Sequence, residues 1–158
     1  YPGIVRIAHA IIAEAFSRKV ITPGVTTTQD VQWWYRDRLR TLGLTPWFHP
    51  SVTIQRAGAK GMLDGATVIQ PGDLLWTDFG ITYLRLSTDT QHLAYVLKPG
   101  ETAAPAGLRR GLANSNRVQD IMRGHFAVGR SGNDVLALSR RDAMAAGIDP
   151  SIYSHPIG

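Results

Sequence analysis

The chain has no cysteine, and only two of its 158 residues, Glu14 and Glu101, are glutamates, against ten aspartates. Without cysteine there are no disulfides, zinc fingers, iron–sulfur clusters or thiol nucleophiles, so any bound metal must rest on His, Asp or Glu. Long apolar runs are missing as well. The most apolar segment, residues 4–16, is interrupted by Arg6, His9 and Glu14, which excludes a membrane-spanning helix of some 18 or more residues. There is no signal-peptide layout, and the chain opens at Tyr1 rather than Met. The cytoplasm is therefore the default compartment, with periplasm or secretion left open. Nor is there a basic stripe. The 17 Lys and Arg outnumber the 12 acids but are spread from Arg6 to Arg141, the pattern of a solvated face rather than a nucleic-acid footprint.

What is present suits one domain with a sizeable core, since 44% of the residues are apolar. Ile4, Ala8, Ile11, Ile12, Ala15 and Phe16 fall at helical spacing and predict an amphipathic helix over residues 4–17. After the turn Ile21-Thr22-Pro23-Gly24, Thr27-Thr28-Gln29-Asp30 reads as a capping box that starts a second helix ending at Leu42 and closed by Gly43. Trp33, Trp34 and Tyr35 follow one another on that helix, so they cannot share a face. Extended segments are expected over residues 51–56, 73–80 and 92–97, punctuated by Pro71-Gly72 and Pro99-Gly100. A long helix is predicted after Pro105 to about Val128, with Leu108, Leu112, Ile121, Met122 and Phe126 as its core face. A last helix is predicted over residues 132–146.

Residues 27–44 align without gaps on residues 131–148, an offset of 104, with Asp30/Asp134, Val31/Val135, Arg36/Arg140 and Gly43/Gly147 identical. The match runs on to Pro46/Pro150, and with a two-residue gap His49-Pro50 falls on His155-Pro156. Capped helices ending in Gly resemble one another by shared chemistry. The sharper reading is duplication: two helix-then-strand halves about a pseudo-twofold axis.

Asp78 ends an apolar strand, Leu74-Leu75-Trp76-Thr77-Asp78, where desolvation normally excludes a carboxylate. Eleven residues later Asp89 sits in a second β-like segment with Tyr83, Leu84 and Leu86. Neighbouring antiparallel strands can bring two such carboxylates to one point, where like charges repel unless a cation bridges them. His155 offers a neutral imidazole far along the chain. A buried Asp that caps a turn, and a terminal His on the surface, are the plainer readings of each residue alone. Asp78-Phe79-Gly80 also mimics the magnesium motif of protein kinases, but the Gly-rich loop, strand lysine and His-Arg-Asp loop of a kinase are missing.

Together, Pro71-Gly72-Asp73 through Asp78-Phe79-Gly80, then Thr88-Asp89-Thr90, and finally Ser154-His155-Pro156-Ile157-Gly158 resemble, in order, the motifs of the pita-bread metallopeptidases. That family includes methionine aminopeptidase, aminopeptidase P, prolidase and creatinase, and the Xaa-Pro peptidase branch is the most similar. The resemblance implies an α+β pita-bread fold, with residues 1–158 forming an incomplete catalytic domain. It implies Asp78, Asp89 and His155 as metal ligands in a site of two divalent ions, manganese first and cobalt, iron or zinc as the other candidates. The two further ligands would be glutamates beyond Gly158, because neither Glu14 nor Glu101 stands in a matching context; the 158 residues alone would then be inactive. The implied function is a metal-dependent exopeptidase that removes an N-terminal residue or cleaves a dipeptide, with a weak Xaa-Pro preference. Its expected partners are peptide substrates and a second copy of the chain in a homo-oligomer, not nucleic acid or membrane. One departure stands out: the family's substrate-facing His before the Gly-Asp motif has no counterpart in residues 57–70, and His49 lies upstream of that window. His92 is expected to point away from Asp89. A binding or scaffold protein of this fold, and a metal-free creatinase-like hydrolase, are the competing readings.

Overall fold

Helix α1 (Pro2–Ala15) opens with a proline in its first turn, where a missing N–H leaves no gap in the helical ladder. In the computed structural model, which describes residues 1–152, its apolar stripe is the predicted one: Ala8, Ile11, Ile12 and Ala15 are buried, Ile4 and Phe16 partly so. Helix α2 (Thr28–Leu42) starts on the expected capping box. The Thr27 hydroxyl accepts from the Asp30 N–H at 3.1 Å, and the Asp30 carboxylate accepts from the Thr27 N–H at 2.8 Å. It stops at Gly43, whose φ of 65° is left-handed and disfavours a side chain. The three consecutive aromatics part as helical geometry demands. Tyr35 is buried and stacks on Phe79 at 4.7 Å, Trp34 is partly buried, and Trp33 is 55% exposed with the Arg36 guanidinium 4.5 Å over its ring.

Two three-stranded antiparallel sheets follow. β1 (Thr45–Pro46), β4 (Ile81–Tyr83) and β5 (Leu86–Ser87) form a small one in the order β1-β4-β5. β2 (Ser51–Gln55), β3 (Leu74–Phe79) and β6 (Thr90–Tyr95) form the main one in the order β2-β3-β6. Alternation sorts the main sheet's faces. Val52, Ile54, Leu75, Thr77 and Phe79 are buried on the side that α1 and α2 cover. The opposite face is set by the register Ser51↔Asp78↔Gln91, Thr53↔Trp76↔Leu93 and Gln55↔Leu74↔Tyr95. It carries a shallow hollow of about 450 Å³ lined by Thr53, Gln55, Met62, Leu74, Trp76 and Leu93. On the helix side, His9 of α1 meets His92 of β6, Nδ1 to Nε2, at 2.7 Å. Arg56 locks the start of β3 by gripping both carboxylate oxygens of buried Asp73 at 2.8 Å.

These elements form one compact unit, Tyr1–Ala103, and the residues from Ala104 onward form a second. In the second unit α3 (Ala106–His125) packs on α4 (Gly132–Ala145). α4 repeats the capping box with Ser131 and Asp134. His125, at the end of α3, meets Asp142 of α4 at 2.8 Å. One expectation is corrected here: no residue of α3 is buried, and Leu108, Leu112 and Phe126 are 37%, 48% and 57% exposed. Its partner α4 offers mainly small side chains, which cover little of α3's apolar stripe. Among the described residues no helix is long and apolar enough to cross a membrane.

Candidate metal centre

Asp78 is the last polar residue of β3, on the face away from the helices, opposite Ser51 of β2 and Gln91 of β6. The Gln91 amide donates to its Oδ2 over a long 3.5 Å, while its Oδ1 is buried with no hydrogen-bond partner of its own. Asp89 comes to it along the antiparallel segment that follows β5. Rather than lying in a strand with Tyr83, Leu84 and Leu86, it sits on the link between β5 and β6. The chain first makes a tight hairpin, β4 to β5, turning at Leu84 and Arg85 with φ of 49° and 65°. It then runs on in the same direction and the same register through Thr88 and Asp89 to enter β6 beside the end of β3.

The two carboxylates are neighbours. Burial holds the Asp78 carboxyl above the usual carboxylate range, and the Asp89 charge, close enough for a shared hydrogen bond, pushes it the same way. Gln91 and the Phe79 amide oppose that shift with smaller effects. A paired carboxylate of this kind, with one oxygen withdrawn from water and unpartnered, is satisfied by a proton or by a cation. An oxygen-rich donor set suits a hard divalent ion such as manganese, so the residues present fit the implied metal. No group of three or more His, Asp or Glu side chains poised for a metal occurs among the described residues. His155, the third expected ligand, lies outside them.

The other expectations are answered by position. His92 faces away from Asp78, its partner across the ladder being Thr77 on the helix side. His49 is exposed, with its Nδ1 3.3 Å from the Arg36 guanidinium. Glu14 pairs with Arg38 at 2.9 Å, and Glu101 accepts from the Lys98 amide at 2.8 Å, so both glutamates of the chain are engaged elsewhere. Sequence reading missed Trp47, whose indole N–H donates to the Thr88 carbonyl oxygen at 2.6 Å. The signal available was Gly80, directly after the strand, in a stretch otherwise made of large side chains.

Helices over one face of an antiparallel sheet, with paired carboxylates on the other, define an α+β pita-bread domain. The chain belongs to metallopeptidase family M24, whose profile matches residues 3–158. Among solved structures it is similar to an X-Pro aminopeptidase from Thermotoga maritima, with a TM-score of 0.71 and 17% identity over 92% of this chain and 40% of that one. It is also similar to a prolidase from Pyrococcus furiosus, with a TM-score of 0.64 and 19% identity over 92% and 42%. An Xaa-Pro dipeptidase from Bacillus anthracis gives 0.59 and 22% over 92% and 40%. At these identities the likeness establishes the fold, and the chain spans about two fifths of the length of each of these structures. A comparison with curated proteins found no significant match. Members of this family are typically dimetal enzymes.

Proposed function

We propose that this chain forms part of a metal-dependent exopeptidase acting on N-terminal residues or dipeptides, with a weak preference for proline after the scissile bond. Asp78, Asp89 and His155 would serve as ligands to a pair of divalent ions, manganese first. The observation that carries the reading is the Asp78–Asp89 pair, converging on the open face of the sheet with Asp78 Oδ1 buried and unpartnered. Bound ions of this kind activate a water molecule and polarise the scissile carbonyl.

The chain's own residues do the rest. Asp78 and Asp89 would hold the cations, and the Gln91 amide, 3.5 Å from Asp78 Oδ2, would help to orient that carboxylate. The hollow beside Trp76 and Leu93, on the same face as Asp78, supplies apolar surface for a substrate side chain or proline ring. The further carboxylates of a dinuclear site would not come from Glu14 or Glu101, whose side chains are committed to Arg38 and to the Lys98 amide. Contact with a second copy would fall to exposed apolar residues outside that hollow, such as Leu84 and Leu86, which sedimentation of the natural gene product checks.

The test is hydrolysis of Xaa-Pro dipeptides and of longer peptides with proline second, by the natural gene product, before and after chelation and with manganese restored. Metal-dependent release of the N-terminal residue is expected. A folded protein that takes up no divalent ion, or takes it up and cleaves neither substrate, would sink the reading. The second outcome would favour a scaffold protein of this fold, a reading supported by the absence of any His in residues 57–70.

A further inference from the structure

Asp89 stands between Thr88, bonded to Ile81, and Thr90, paired with Phe79, at a point where the ladder is interrupted: the Ile81 N–H turns to the Thr88 hydroxyl, so the Thr88 carbonyl needs another donor. Thr88, the residue before it, is 1% exposed, and all three of its polar groups are taken. Its N–H donates to the Ile81 carbonyl oxygen at 2.9 Å, and its hydroxyl accepts from the Ile81 N–H at 3.1 Å. Its carbonyl oxygen accepts from the Trp47 indole at 2.6 Å. The first two bonds tie Thr88 to β4. The third comes from 41 residues away in sequence and stops the peptide between Thr88 and Asp89 from rotating.

Trp47 is itself tightly seated. Its ring meets Phe48 edge-on at 4.7 Å, and its indole nitrogen lies where a side chain on Gly80 would have to be. A Cβ at Gly80 would collide with Trp47 Nε1, with the Thr88 carbonyl oxygen and with the Phe48 ring together. Glycine at this position is thus a matter of close approach: it opens the slot through which the indole reaches the Thr88 carbonyl. Half of the Trp47 surface remains exposed, so burial of the ring does not account for so close a fit.

We propose that Trp47 is a positioning residue which, through the Thr88 carbonyl and the slot left by Gly80, sets Asp89 against Asp78. The proposal rests on the metal reading above and deepens it. Trp47 touches neither substrate nor ion; it acts through the backbone of the residue preceding a ligand. Groups that orient metal ligands from behind typically change metal affinity by about 10- to 100-fold when removed.

The variant that isolates the effect is Trp47→Phe in the natural gene product, which keeps an aromatic ring over Gly80 and removes only the donor. Losing one hydrogen bond should raise amide exchange at Thr88 and Ile81 by about five- to ten-fold, while Leu75 and Thr77 in mid-β3 keep their protection. The Mn²⁺ dissociation constant, read from the electron paramagnetic resonance of the free ion, should rise about ten-fold. The metal-free melting midpoint should move little. Gly80→Ala, whose Cβ would collide with both the indole nitrogen and the Thr88 carbonyl oxygen, should reproduce both changes, and Trp33→Phe, at an exposed tryptophan on α2, should produce neither. Unchanged exchange in Trp47→Phe, or faster exchange with an unchanged Mn²⁺ constant, overturns the proposal while leaving the metal reading standing. Failure of the wild-type protein to take up Mn²⁺ overturns the metal reading and the proposal with it.

Discussion

Helix α2 buries Val31, Tyr35 and Leu39, and helix α4 buries Val135, Ser139 and Ala143, the residues 104 positions further on. The frames are the same. Each helix opens on a hydroxyl–aspartate capping box, and each is followed by a left-handed glycine, Gly43 at φ 65° and Gly147 at φ 74°. The contents differ because the partners differ. α2 lies over a sheet and needs large side chains to fill the space down to Phe79, whereas α4 packs on another helix, where small residues let two backbones approach. What the repeat conserves is therefore the start, the stop and the inward-facing positions of a helix, not the volume it buries. Function follows the same division. The carboxylate pair belongs to strands and links of the first unit, and the aspartates of the repeat, Asp30 and Asp134, are spent on caps.

That division is broken most severely by removing the carboxylates. Asp78→Asn and Asp89→Asn should each abolish metal-dependent hydrolysis and weaken Mn²⁺ uptake by orders of magnitude, whereas Asp134→Asn, at the cap of α4, should leave the Mn²⁺ constant unchanged. Isothermal titration checks all three. Without metal the sign reverses for Asp78. A carboxyl whose folded value lies above its unfolded one makes the fold less stable as pH rises from 3.8 through the raised value. Asp78→Asn should accordingly raise the metal-free melting temperature at pH 7 while eliminating the further rise that manganese gives the wild type. A metal-free variant melting below wild type would show that the pair is not strained.

Core truncation sharpens the comparison next. Tyr35→Ala removes a fully buried ring stacked on Phe79 and should cost about 3–5 kcal/mol in urea unfolding. Ser139→Ala, at the equivalent position of α4, removes a buried hydroxyl that has no hydrogen-bond partner, so it should be neutral or slightly stabilising. Equal losses at the two sites would contradict the different packing of the two helices. Caps come third, and there the units should agree: Thr27→Ala and Ser131→Ala should each cost about 1 kcal/mol.

The helices were legible because their signals are local: the apolar stripe of α1, the two capping boxes and the glycine stops act within a few residues. The α3 core face was misjudged because periodicity tells which residues share a side but not whether anything covers it. At the site, Asp78 announced itself as a charge at the end of an apolar strand. Asp89 falls on the two-residue link between β5 and β6, and the Leu84-Arg85 turn that leads to it uses two left-handed residues that carry neither glycine nor asparagine as a marker. The Trp47–Thr88 contact spans 41 residues and joins two segments outside the strands, and no local rule announces a pairing of that kind. His155 lies outside the described residues, so its place beside the two aspartates is a proposal from the family motif.

The smallest expected effect concerns the two histidine contacts, one in each unit. His9 and His92 share a hydrogen bond at 2.7 Å, which requires one ring to accept; burial, and then the His9 charge, hold the His92 imidazole below its ordinary range. The folded chain is therefore slower to take up a proton than the unfolded one. Stability contributed by neutral His92 is present above about 6.5 and is lost as pH falls from there toward its lowered folded value. In the second unit His125 faces Asp142, whose carboxyl is held below its ordinary range, by Arg141 first and by His125 among the lesser causes. A depressed carboxyl contributes stability that disappears only as pH drops below 3.8, so the His125–Asp142 contact keeps its partner charge throughout the range in which the His9–His92 contact fails. Between pH 7 and 5.5, amide protection corrected for intrinsic exchange should fall along α1 and hold along the end of α3. His92→Gln should flatten the α1 response, and a parallel fall in both helices would show that global unfolding, rather than the histidine pair, sets the pH dependence.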